Sequence, residues 1–185
     1  MIGSAKTWLL VLGLLLMPMA AMAHAPELHG FKITTFRRPP PAPEFSLVSP
    51  TGVPMTLKQF RGKVVLLNFW ATWCPPCVRE MPSMEALYQK FRAKGLAVVA
   101  ISLDVKGAEV VRRFLDKYKL TFPVALDPEG KSSSVYGAGS LPSTFLIDRE
   151  GRVIAAAKGE RDWFSPDAVS YIAEVLGKAP KITKR

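Results

Sequence analysis

The chain has 185 residues, of which 49% are hydrophobic, and it carries a formal net charge of +10. This length suffices for one domain with its own hydrophobic core. The basic residues are scattered in short clusters, so the charge favours a solvated surface, or one that meets anionic lipid or an acidic partner.

Residues 1–23 have the pattern of a secretory signal peptide. Lys6 precedes an apolar run over residues 8–23, and the run ends in Ala21, Met22 and Ala23, the small-x-small pattern of a signal-peptidase site. The run has 16 residues, fewer than the roughly 18 of a spanning helix, so we favour a cleaved signal over an uncleaved anchor in the inner membrane. Both predict a periplasmic or extracytoplasmic location, where disulfides persist, and we expect no nucleic-acid partner there.

Residues 24–43 are polar and contain "RRPPPAP". This composition predicts an extended, stiff tether, followed by one folded domain over residues 44–185. In "EFSLVSPTGVPMTL" two short strand patterns flank a turn. The run "KVVLLNFWA" is continuously apolar, which predicts a strand that is covered on both faces.

The remaining patterns alternate between helix and strand. Apolar residues recur at helical spacing after the cysteines, and "GLAVVAISLD" predicts a second buried strand. A helix over "AEVVRRFLDKYK", a strand in "FPVALDPEG", a hairpin over "LPSTFLIDREGRVIAAAKG" and a helix with Ser165 as its N-cap follow. This order predicts an α/β domain in which parallel strands come first and an antiparallel hairpin closes one edge.

The only two cysteines, Cys74 and Cys77, lie in "ATWCPPCVRE". A c-type haem anchor needs histidine after the second cysteine, where Val78 stands. Structural zinc needs four ligands, and the only histidines, His24 and His29, lie in the predicted tether; a thiol protease lacks its histidine base for the same reason. We therefore expect no metal and no cofactor. A bridge across two residues closes too small a loop to stabilise much, which favours a redox-active disulfide.

Cys74 follows a predicted buried strand where a helix begins, and there the unpaired N–H groups favour a thiolate. Cys74 then attacks a target disulfide, and Cys77, one turn further along, resolves the mixed disulfide. Glu80 falls near the same helical face. If it is half-buried, it has a raised pKa and passes protons to and from the cysteines; alternatively, it is a solvated acid of the first turns.

The segment "GKVVLLNFWATWCPPCVREMP", followed about 65 residues later by "LPSTFLID", resembles the TlpA/ResA group of exported thiol-disulfide oxidoreductases. The resemblance runs from about residue 42 to residue 177. It implies a thioredoxin-like fold with an N-terminal β-hairpin extension and a central strand-helix insertion around "AISLDVKGAEVVRRFLDKYK".

The resemblance also implies roles for single residues. Leu141-Pro142 would be a cis peptide bond facing the cysteines, with Leu141 offering its backbone to the substrate. Trp73 would flank the reactive sulfur, and Trp70 would match a second aromatic position, as part of the site or as core.

One position departs from thioredoxin itself. Asn68 stands where thioredoxin has a buried aspartate. Glu80, in contrast, matches the glutamate that the TlpA/ResA group keeps near its cysteines, so the resemblance favours Glu80 as a functional acid.

The predicted function is an extracytoplasmic disulfide reductase that acts on specific proteins, and the resemblance implies roles such as preparing apocytochrome c or copper-site thiols. A membrane thiol-electron donor would keep the protein, expected to be a monomer, reduced. The alternatives are a disulfide-forming oxidant and a binding module whose disulfide stays closed. A peroxiredoxin is excluded because no cysteine lies outside the pair.

Overall fold

The computed structural model describes residues 31–178. Along the chain, the strands and helices are β1 (Thr34–Thr35), β2 (Ser46–Val48), β3 (Pro54–Thr56), β4 (Val64–Trp70), α1 (Pro75–Phe91), β5 (Leu96–Ser102), α2 (Ala108–Tyr118), β6 (Val124–Leu126), α3 (Lys131–Val135), β7 (Ser143–Ile147), β8 (Val153–Lys158) and α4 (Pro166–Gly177). The predicted α/β class is confirmed.

All eight strands form one sheet in the order β1-β8-β7-β4-β5-β6-β2-β3. β4 lies at its centre, parallel to β5 and antiparallel to β7. Every residue of β4 and β5 is buried, as their continuous apolar sequences predict for strands with both faces covered. The predicted closing hairpin is the pair β7 and β8.

The alternation of side chains along β4 supplies two cores. Leu66 and Trp70 belong to the core beneath α1, α2 and α4, while Leu67 and Phe69 point to the other face, towards the N-terminal hairpin and Tyr136. Helices on one face and mostly irregular chain on the other thus sandwich the sheet. The carboxyl end of β4 leads directly into the cysteines.

Helix α1 has Cys74 as its N-cap and prolines at its first two positions, where their missing N–H groups cost no hydrogen bond. Of the apolar residues predicted for its inner face, Cys77, Met81, Met84 and Phe91 are buried and Tyr88 is half-buried. Glu80 and Leu87 are also buried on this helix.

The N-terminal segment differs from the predicted tether. Residues 31–43 are extended, but β1 pairs with β8, Pro41 bridges Arg152, and Phe31 and Ala42 are buried. The reason is that the segment carries apolar side chains which the free edge of β8 and the core beside α4 can accept. Packing against the domain therefore begins ahead of the predicted boundary at Glu44.

Helix α3 has no counterpart among the predicted elements. The Asp127 carboxylate accepts hydrogen bonds from the backbone N–H groups of Lys131, Ser132 and Ser133 and so starts a helix of five residues. Such a helix is too short to show a periodic pattern.

The predicted signal over residues 1–23 and the first part of the predicted tether lie outside the described residues. Within residues 31–178, no helix combines the length and hydrophobicity that a membrane crossing requires.

Candidate active site

Cys74 and Cys77 form a disulfide at the junction between β4 and α1, with their Cα atoms 5.3 Å apart. Cys77 is completely buried, whereas Cys74 is 5% exposed. The backbone N–H of Cys77 donates to Sγ of Cys74 at 3.3 Å. After reduction, this N–H and the positive end of the α1 dipole favour a thiolate at Cys74.

The Glu80 side chain lies one turn beyond Cys77 on the buried face of α1, with 1% of its surface exposed. Asn68 Nδ2 donates to Oε1 at 2.8 Å. The Arg161 backbone N–H and Trp163 Nε1 each donate to Oε2 at 3.3 Å. Burial raises the pKa of Glu80 from 4.5 to about 7, against the effect of these hydrogen bonds, which stabilise the charged form.

Asn68 connects three elements around this carboxyl. Its Nδ2 also lies 2.9 Å from Oγ1 of Thr144 in β7, which is the residue opposite Asn68 in the sheet register. Within the described part of the chain its Oδ1 has no hydrogen-bond partner. The amide that stands where thioredoxin has an acid thus holds the glutamate of α1.

The Leu141-Pro142 peptide bond is cis. Pro142 precedes β7, whose first residue, Ser143, pairs with Phe69 near the carboxyl end of β4. The cis bond therefore lies at the same end of the sheet as the disulfide. Leu141 is partly exposed and Pro142 is buried, and the Pro142 carbonyl accepts a hydrogen bond from the Gly159 N–H at 2.8 Å.

The two tryptophans of the segment have opposite environments. Trp73 is 67% exposed, directly before Cys74. Trp70 is completely buried and packs against Phe114 with ring centroids 4.9 Å apart. Trp73 is thus available to a partner at the disulfide, and Trp70 belongs to the core.

Asp104 fixes the loop that carries the cysteines, and sequence patterns did not indicate it. Its carboxylate accepts hydrogen bonds from the Thr72 backbone N–H at 2.9 Å and from the Thr72 hydroxyl at 2.6 Å. The Ser102 hydroxyl donates to it at 2.7 Å. The loop after β5 is thereby tied to the loop after β4.

The structure thus brings together the predicted Cys74, Cys77 and Glu80 within two turns of α1 and places the other predicted residues at the same end of the sheet. Among residues 31–178, no group of three or more His, Cys, Asp or Glu side chains is arranged to hold a metal ion.

Comparisons with known proteins identify the family of this chain. The family model described as the AhpC/TSA family matches residues 40–156. The thiol-disulfide oxidoreductase ResA of Bacillus thuringiensis subsp. konkukian is 45% identical over 120 residues, which cover 65% of this chain and 69% of that protein. ResA of Geobacillus thermodenitrificans is 42% identical over 112 residues, covering 60% and 64%.

Solved structures show the same fold. A protein from Chlorobium tepidum, proposed to be the thiol:disulfide interchange protein DsbE, aligns with a TM-score of 0.70 and 36% identity over 77% of this chain and 100% of its own. A thioredoxin family thiol:disulfide interchange protein from Chlorobium tepidum TLS aligns with a TM-score of 0.66 and 31% identity, over 77% and 99%. The chain therefore belongs to the AhpC/TSA family and, within it, to the thioredoxin-like thiol-disulfide oxidoreductases of the ResA type.

Proposed function

We propose that this oxidoreductase is exported and reduces disulfide bonds of specific extracytoplasmic proteins, such as apocytochrome c or proteins with copper-site thiols. The observation that carries the proposal is the redox pair at the start of α1 with a buried carboxyl one turn further on. Export rests on the signal-peptide pattern of residues 1–23.

In the reduced protein, the Cys74 thiolate attacks one sulfur of the substrate disulfide. A mixed disulfide forms, and the other substrate sulfur leaves as a thiolate. Cys77 then loses its proton and attacks the Cys74 sulfur, which releases the second substrate thiolate and closes the Cys74–Cys77 disulfide. Two electrons pass from the protein to the substrate, and a membrane thiol-electron donor restores the dithiol.

Glu80 supplies the proton transfer in this scheme. Its carboxyl is buried on the same face of α1 as Cys77, and its pKa of about 7 lets it take up and release a proton near neutral pH. It accepts the proton that Cys77 must lose before it attacks, and it returns a proton when the pair is reduced again.

The substrate would meet the protein at the exposed Trp73 and at the partly exposed Leu141. An extended substrate segment would lie along the backbone of Leu141 and Pro142, with its cysteine directed to Cys74. Because Cys77 is completely buried, a protein substrate reaches Cys74 first. We propose that the protein works as a monomer.

The direction of electron flow is tested by the reduction potential of the Cys74–Cys77 pair in glutathione or dithiothreitol buffers. A reductant is expected near the potential of thioredoxin, roughly −270 mV, while a value near roughly −120 mV indicates a disulfide-forming oxidant. A Cys74–Cys77 disulfide that resists reduction by a mild dithiol would contradict both redox functions and would favour a binding module whose disulfide stays closed.

The substrate is identified by trapping. In cells of the source organism, the Cys77→Ser variant, which keeps Cys74, is expected to accumulate mixed disulfides that mass spectrometry can name. The matched control is Cys74→Ser with Cys77 intact, which should trap far less because Cys77 is buried. Equal trapping by both variants would contradict the order of attack.

A further inference from the structure

Residues 159–163, in the loop between β8 and α4, close over the Glu80 carboxyl. Two of its three hydrogen-bond donors, the Arg161 backbone N–H and Trp163 Nε1, come from this loop and both contact Oε2. Trp163 is 3% exposed, so its indole both shields the carboxyl from solvent and donates to it. The loop thus supplies most of the polar contacts of Glu80.

The loop is attached to the same part of α1 by two further contacts. The Trp163 backbone N–H donates to Ser83 Oγ at 3.0 Å, and the Ser83 hydroxyl donates to the Glu80 carbonyl at 2.7 Å. On the exposed side, Arg79 Nε donates to Glu160 Oε2 at 2.9 Å. The indole therefore has a defined position relative to the Glu80 backbone.

The N-terminal segment holds the loop from the other side. The ring of Phe31 meets the Trp163 indole edge to face, with centroids 5.2 Å apart and an interplanar angle of 80°. Arg161 Nε donates to the Lys32 carbonyl at 2.8 Å. Pairing of β1 with β8 anchors the segment, so residues that precede the predicted domain boundary lie one contact away from Glu80.

We propose that Trp163 is a positioning residue of the redox site, and that residues 31–35 hold its indole against the Glu80 carboxyl. This proposal rests on the proposed proton-transfer role of Glu80 and extends it to a second contributor. The indole N–H keeps Oε2 fixed and stabilises the ionised carboxylate, so that Glu80 releases its proton more readily than burial alone would allow.

The segments that pack around Glu80 also carry charged residues. They are Arg79 on α1, Glu160, Arg161 and Asp162 on the loop, and Lys32 on the N-terminal segment. The charge of Glu160 raises the pKa of Glu80, but Glu160 is paired with Arg79. The Arg161 guanidinium donates to backbone carbonyls. From β4, the facing group is the uncharged Asn68 amide. The hydrogen bonds from the loop lower the pKa of Glu80, so loss of one of them should raise this pKa.

The test is Trp163→Phe in the oxidised full chain, with the Glu80 carboxyl titrated by ¹³C NMR and assigned by Glu80→Gln. Phenylalanine keeps a ring beside Phe31 but removes the N–H. The titration midpoint is expected to rise by about one pH unit, a tenfold change, since a hydrogen bond to a charged group is lost. An unchanged midpoint overturns the role of Trp163.

The matched control is Trp70→Phe. Trp70 is equally buried, and its Nε1 has no hydrogen-bond partner within residues 31–178, so the same substitution there should leave the midpoint of Glu80 unchanged. A shift of equal size in this control would mean that the midpoint follows general loosening of the core, and would overturn the proposal.

The N-terminal contribution is tested by Phe31→Ala against Phe36→Ala. Phe36 lies on the same segment but is 38% exposed. Phe31→Ala is expected to move the midpoint upwards by up to the shift seen in Trp163→Phe, and Phe36→Ala to leave it in place. A wild-type midpoint in Phe31→Ala overturns the role assigned to residues 31–35, and this variant retains Trp163 should Trp163→Phe fail to fold.

The proposed function is read out separately, by the pH profile of the rate at which Cys77 resolves a mixed disulfide between Cys74 and a small thiol. If Trp163 acts through Glu80, Trp163→Phe changes this profile in the presence of Glu80 and has no effect in the Glu80→Gln background. If Glu80→Gln alone leaves the profile unchanged, the proton-transfer role fails, while the NMR midpoint still decides whether Trp163 positions the carboxyl.

Discussion

The packing around Glu80 sets the pKa of its carboxyl. Burial raises its pKa to about 7, while three hydrogen bonds keep the charged form accessible. An exposed glutamate would be ionised throughout the neutral range and could not deliver a proton there. The enclosed position on α1 is therefore what would suit this side chain to the proton transfer proposed for it.

We predict that Glu80→Gln slows reduction of a peptide disulfide by about a hundredfold, because general acid–base catalysis contributes roughly 10²–10⁴. In the wild type, the rate of reduction should change with pH in a step near pH 7, where Glu80 titrates. This step should be absent in Glu80→Gln. Stopped-flow measurements between pH 5 and pH 9 test this. Glu85→Gln is the matched control, because Glu85 is also on α1 but is hydrogen-bonded to Thr121; a step that persists in Glu80→Gln would contradict the prediction.

At this scale, the sequence predicted which residues lie together where local spacing alone brings them together. Cys74, Cys77 and Glu80 lie on consecutive turns of one helix, so the pattern alone brings them together. Trp163 meets Glu80 across 83 residues of chain, and no period or motif around it indicates that contact. Such a partner is determined by how β8, its following loop and α4 pack on α1.

At the scale of elements, the loops around the disulfide are held by each other. Asp104, which is 2% exposed, satisfies both the backbone N–H and the hydroxyl of Thr72, two residues before Cys74. Without this carboxylate, a part-buried N–H and a hydroxyl lose their acceptor. The loop after β5 is therefore part of the support for the loop that carries Cys74.

Asp104→Ala is expected to lower the free energy of unfolding by roughly 1–3 kcal/mol, since it leaves polar groups without their partners. Urea denaturation of the oxidised protein measures the loss. Asp116→Ala removes an exposed acid of α2 and should stay within about 0.5 kcal/mol of the wild type. Equal losses in the two variants would show that Asp104 has no special structural role.

Long, well-buried helices and strands were predicted from the sequence, whereas the shortest ones were not. β4, β5, α1 and α4 have continuous or periodic apolar sequences, and all were predicted near their observed bounds. β1 and α3 were not, because two residues and five residues carry no period. β1 depends on a contact with distant chain, since Thr34 lies opposite Ala156. α3 depends on a local one, the Asp127 carboxylate just ahead of it, which shows no periodic pattern.

For the whole molecule, Glu80 links stability to pH. Its pKa is 4.5 ordinarily and about 7 in the fold, so between these values the folded state binds more protons than the unfolded chain. Stability from this group is complete below about pH 4.5, falls as the pH rises, and is constant above about pH 7. The total loss is on the order of 3 kcal/mol.

This prediction is measured as the difference in unfolding free energy between wild type and Glu80→Gln, both oxidised, from pH 4 to pH 8. The subtraction removes the other titrating groups, such as Glu85, which has a lowered pKa. As the pH rises, the unfolding free energy of the wild type should fall relative to that of Glu80→Gln. A constant difference would mean that Glu80 titrates alike in the folded and unfolded chains.

The pairing of β1 with β8 also bears on self-association. The sheet has two outer strands, and each is a poor template for another chain: β1 has only two residues, and β3 contains Pro54, which has no N–H to donate. A fragment that began at Glu44 would lack β1 and would expose the six-residue β8 as a new edge. By pairing with β8, the short N-terminal strand therefore covers an edge at which another chain could otherwise pair and aggregate. The same segment also contacts the loop beside the redox site.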